Sequence, residues 1–122
     1  MKIVVPSDFD ITLTVLNADG TAFDLDTADD IVVAIYQRND RPVQKFYFSK
    51  DTVIKVTPAS GIMKVQVNRE NSKQLSTGKL YAEINLITTD ADMEGGKRHT
   101  KIPSIELKDD DGKSIEIEKS VL

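Results

Sequence analysis

The chain contains no cysteine and no tryptophan. Without cysteine there is no disulfide framework, no thiolate zinc site and no cysteine nucleophile, and the redox compartment cannot be read from thiol usage. Aromatic residues make up 6% of the 122 positions, which argues against a sugar-binding platform of exposed rings. Lys and Arg number 16, are scattered among 20 acids, and leave a formal net charge of -4. A nucleic-acid surface needs a basic face that releases counterions from phosphates, so nucleic acid is not an expected partner. No window approaches the roughly 18 apolar residues of a membrane span, so membrane insertion is not expected either. At the N-terminus the apolar run is only Ile3, Val4 and Val5 before Pro6. A signal peptide needs about 7–15 apolar residues and a small-residue cleavage site. The expectation is a soluble, untargeted chain.

What is present has a period of two. In "DFDITLTV" Phe9, Ile11, Leu13 and Val15 fall on one face and Asp10, Thr12 and Thr14 on the other, the pattern of a half-buried strand. "NADG", ending at Gly20, is a turn, and Phe23 and Leu25 anchor the crossing segment behind it. Residues 31–38, "IVVAIYQR", are apolar on both faces and predict a central or partly covered strand. A turn at residues 38–42 follows, then short strands "VQKFYF" and "VIKV" around "SKDT", and a turn at Pro58–Gly61. "IMKVQV" turns Met63, Val65 and Val67 inward. "NRENSKQL" is the one helix candidate, one or two turns long, capped by Asn68 and pinned by Leu75.

A strong strand, "KLYAEINLI", follows Gly78, with Leu80, Ala82, Ile84 and Leu86 on one side and Tyr81, Glu83 and Asn85 on the other. After a polar loop ending in Gly95 and Gly96, "KRHTKIPSIEL" is read as a strand with Ile105 and Leu107 inward. Pro103 places it at an edge or at a bulge. "IEIE" closes the chain with Ile115 and Ile117. Seven or eight short strands at intervals of roughly 8–12 residues predict one domain over residues 1–122, a β-sandwich or barrel.

Chemistry is harder to find. The Gly78–Lys79 pair invites a phosphate-loop reading, but Lys73 stands where the first Gly is required and Leu80 follows the Lys. A strand also follows where a helix N-terminus is needed. Read against a calcium loop, "LKDDDGKSIEIE" places Asp109, Asp111, Gly112 and Glu118 at positions 3, 5, 6 and 12, but Leu107 at position 1. "VLNADGTAFDLD" fails in the same way at Val15. His99 is the single histidine, with no nucleophile pattern around it. Glu83 and Glu106 could meet in space, but with 20 acids such a pairing is unspecific. No catalytic, cofactor-binding or metal-ligating residue is assigned, no cofactor is expected, and the chain is not expected to be an enzyme. The apolar ends, Ile3–Val5 and Val121–Leu122, either add a strand to a sheet, their own or a neighbour's, or tuck against the domain.

The order of "DFDITLTVLNADGTAFDL", "ADDIVVAIYQ", "SGIMKVQV", "STGKLYAEINL" and "RHTKIPSIEL" resembles the N-terminal domain of phage baseplate upper proteins and related immunoglobulin-like domains of phage and prophage tails. The resemblance covers about residues 8–108 and carries no functional residues that transfer. It implies an immunoglobulin-like antiparallel β-sandwich of about seven or eight strands with one short helical turn. It also implies a non-catalytic structural module of a tail or baseplate, made in the host cytoplasm and carried in the virion. Other tail or baseplate proteins and further copies of the chain would be its partners. Members of that family usually continue into a receptor-binding region, so a chain ending at Leu122 is expected to play an architectural part. On this reading, deleting Ile3–Val5 or Val121–Leu122 should weaken assembly more than folding. The alternative is a cell-surface or secreted immunoglobulin-like adhesion module, with possible glycan affinity, since sandwich grammar alone hosts many functions.

Overall fold

The computed structural model describes residues 1–37 and 40–121. The first strand to obey the expected alternation is β2 (Phe9–Thr14); Lys2–Val5, before it, forms β1. In β2, Ile11 and Leu13 are buried while Asp10, Thr12 and Thr14 are exposed. The chain then runs through β3 (Asp30–Gln37), β4 (Asp40–Tyr47), β5 (Val53–Thr57) and β6 (Ile62–Val67). The short helix α1 (Arg69–Ser72) follows, then β7 (Gly78–Lys79), β8 (Tyr81–Thr89), β9 (Lys97–Glu106) and β10 (Glu116–Lys119). Of the expected turn at residues 38–42, Arg38 and Asn39 lie outside the described residues, as does Leu122; Asp40 onward is already strand.

One sheet has the order β4-β3-β8-β9 and a second the order β2-β6-β5. Their core faces share one apolar cluster that includes Ile11, Leu25, Ile31, Val33, Met63, Val65, Leu80 and Leu86. This is the strand order of an immunoglobulin-like sandwich. β3 lies between β4 and β8, as its two apolar faces require. Val32, Ala34 and Tyr36 on its outer side are half-buried.

Three features differ from the expectation. The described residues hold ten strands rather than seven or eight, because the two ends build a third sheet, β1-β10-β7. Within it β1 runs parallel to β10, with Ile3 opposite Ile117, so the sandwich is not wholly antiparallel. β1 thereby leaves β2, its neighbour in sequence, at an open sheet edge. Ile3 and Val5 are buried in this domain's own core, which ties removal of β1 to folding rather than to assembly. Second, the expected strand from Lys79 onward is split. Gly78–Lys79 pairs with β10, and the chain crosses at buried Leu80 into the four-stranded sheet. Third, Ile105 keeps the core-face register, opposite buried Ala82, but at the sheet edge it is 39% exposed, while Leu107 is buried. The register slips between Ala82–Ile105 and Ile84–Ile102. The extra residue of this bulge resets the alternation beside Pro103 on an edge strand, where a missing N–H is tolerated.

Local signals set the corners. Asn68 caps α1 by accepting from the Asn71 N–H at 2.8 Å. Leu75 is buried behind it. Ser72 is fully buried, and its Oγ accepts from the Ser7 N–H at 3.0 Å and donates to the Ser7 carbonyl at 2.7 Å. The helix is thereby fixed to the segment that joins β1 and β2.

Candidate functional site

The residues weighed for chemistry are placed apart and employed structurally. Gly78 and Lys79 form β7 beside β10, and Lys79 Nζ lies 3.2 Å from Glu106 Oε1. That pairing raises the Lys79 pKa and holds the Glu106 carboxyl below its usual range. No contact among the described residues joins Glu106 to Glu83; Glu106 stands opposite Tyr81, and Glu83 opposite Ala34.

Asp109 closes its own turn. Its Oδ1 accepts from the N–H groups of Asp111 at 2.9 Å and Lys113 at 3.0 Å, and its Oδ2 is 3.4 Å from the Met1 ammonium. The Lys113 N–H is the main reason its carboxyl titrates low. Gly112 takes φ 77° in the same turn. At the other acidic turn Thr21 donates its hydroxyl to Asp19 at 2.6 Å, with its N–H on the same oxygen at 3.0 Å. These oxygens are occupied by their own backbone, as turn-forming Asp side chains ordinarily are. Among the described residues, no three His, Asp or Glu side chains are grouped to hold a metal ion.

A different surface stands out, the outer face of the four-stranded sheet. Strand alternation brings Val32, Ala34 and Tyr36 of β3 beside Tyr81, Glu83, Asn85 and Ile87 of β8, with Lys45 and Tyr47 of β4 on one flank and His99 and Lys101 of β9 on the other. Tyr36 and Tyr81 stack with ring centroids 6.0 Å apart. At the centre is an open depression of about 230 Å³, lined by Val32, Ala34, Lys45, Glu83, Asn85 and Lys101 among others. Small-molecule sites run to roughly 300–1,000 Å³ and enclose their ligand. This one is smaller and open to solvent.

Asn85 is the distinctive group. Its Nδ2 lies 3.1 Å from His99 Nδ1, while its Oδ1 is buried and without a hydrogen-bond partner. A buried acceptor left unpaired costs about 1–3 kcal/mol. Alternation places Asn85 on this face; its orphaned oxygen depends on neighbours from β3 and β9 that no local pattern names.

No protein-family model matches the chain, and no curated protein is similar to it.

Proposed function

We propose that this domain is a non-catalytic assembly module that docks on other proteins of a phage or prophage tail or baseplate through the outer face of its four-stranded sheet. The observation that carries the docking is the half-buried, mixed apolar and charged face around Asn85, with an open depression among Val32, Lys45, Glu83 and Lys101. The tail assignment is supported by the resemblance of the strand series, in which "GKLYAEINL" supplies β7, β8 and the centre of this face. Such a module needs no cofactor and acts in the virion after synthesis in the host cytoplasm.

The test is mass spectrometry of particles purified after prophage induction of the source organism, set against envelope and soluble fractions. Enrichment in particles at a fixed ratio to capsid protein is the expected result. Recovery in the envelope with none in particles would overturn the tail reading in favour of an adhesion module.

A further inference from the structure

The same domain carries two open sheet edges that match each other. Just past β2 the N–H of Val15 donates to the Gly61 carbonyl, so the odd residues of that strand direct their backbone groups to β6. Antiparallel ladders alternate, so Asp10, Thr12 and Thr14 direct their backbone groups to the open side. In β9 the Asp90 N–H donates to the Gly96 carbonyl beside the first rung, which turns residues 98, 100 and 102 toward β8. Lys97, His99 and Lys101 therefore direct their backbone groups outward. All six of these residues are exposed. The two edges are in phase: joined as an antiparallel pair, solvent face meets solvent face.

We propose that the β9 edge of one copy pairs antiparallel with the β2 edge of the next, with Lys101 opposite Asp10, His99 opposite Thr12 and Lys97 opposite Thr14. Charge selects this occupant. The basic residues that look scattered in the sequence concentrate at Lys97, Arg98, His99 and Lys101. Lys97 and Arg98 are held by Asp29 and Asp90, while Lys101 has no ion pair among the described residues. On the other edge Asp10 has only a long 3.8 Å contact with Lys64, and Asp110 lies exposed across a groove from it. Lysines on an edge repel a like edge; the same charges accept an acidic one. β4, the opposite edge of the four-stranded sheet, is less available, because the Tyr47 N–H donates to the Thr52 hydroxyl and the Tyr47 carbonyl accepts from the Thr52 N–H. A contact between two different surfaces is head-to-tail, and it builds a ring or a filament rather than a two-fold dimer. This inference stands on the edges alone and not on the tail reading.

Sedimentation of the purified chain tests it. Mass should rise with concentration past the dimer, and the association should weaken with added salt. Lys101→Glu and Asp10→Lys, each checked for folding by circular dichroism, should each weaken association about tenfold. An equimolar mixture of the two variants should recover association past the dimer, since both mixed junctions are matched: the substituted β9 edge meets the substituted β2 edge, and the native β9 edge meets the native β2 edge. A wild type that stays monomeric to about 1 mM, association indifferent to salt, a dimer untouched by either substitution, or variants that do not associate with each other would each overturn the proposal.

Discussion

Gln37 and Ser76, 39 positions apart, exchange two hydrogen bonds: Gln37 Nε2 donates to the Ser76 carbonyl at 2.6 Å and Gln37 Oε1 accepts from the Ser76 N–H at 2.9 Å. The amide is 8% exposed and replaces the backbone partner that a non-strand segment lacks. Gln44 does the same for the Asn71 carbonyl at 2.7 Å. Gln37→Leu leaves both Ser76 groups unpaired. It should lower the unfolding free energy by about 2–4 kcal/mol in urea titration, with the loop at residues 73–77 first to gain amide exchange.

Gly61 has φ 72°, and a Cβ there would stand 2.3 Å from the Val15 carbonyl oxygen. Backbone on both sides leaves nothing flexible to give way. Gly61→Ala should cost about 3 kcal/mol or more, by the left-handed strain and the clash together. A midpoint within about 0.5 kcal/mol of wild type in denaturant titration would show that the β2–β6 corner relaxes freely.

The ends of the chain separate in the same assay. Val5→Ala removes fully buried volume beside β10 and should cost about 2–3 kcal/mol. Val121 is 99% exposed, and Val121→Ser should stay within about 0.5 kcal/mol. Equal effects at both positions would contradict the pairing of β1 with β10.

Several carboxyls titrate low in the folded chain. Asp29 is lowered by the Thr89 hydroxyl and then Lys97, Asp90 by Arg98, and Asp109 chiefly by the Lys113 N–H. A depressed folded pKa gives stability that is present above the unfolded carboxyl value, near about 4, and is lost as pH falls through the folded value. Melting temperature should therefore hold from neutral pH down to about 5 and fall below about 4. Asp29→Asn should make that acid limb shallower. Lys2 and Lys79 are raised, by Glu118 and Glu106, so their contribution is present below the unfolded Lys value and fades only in strong alkali.

Asn85→Val removes an orphaned acceptor from a strand and adds a β-branched side chain. It should stabilise the free domain by about 1 kcal/mol while reducing its incorporation into particles. A destabilised variant would show that the oxygen has a partner in solution.

The alternation of Ile11 with Leu13, of Met63 with Val65 and of Ala82 with Ile84 was legible in the sequence, as were the Asn68 cap and the bend at Gly61, because each depends on residues a few positions apart. Those local periods determined that the chain is a sandwich or barrel of short strands, and the sparse chemistry of its single His99 and absent cysteine was equally plain. Only the tertiary structure decided that β1 joins β10 and abandons the edge of β2, that Lys79 and Tyr81 belong to different sheets, that a bulge shifts the register of β9 beside Pro103, and that the amides of Gln37 and Gln44 and the Asn85 Oδ1 become buried. Pairing partners, bulges and polar burial are set by which distant backbone groups must be satisfied at once, and a two-residue period holds no information about that.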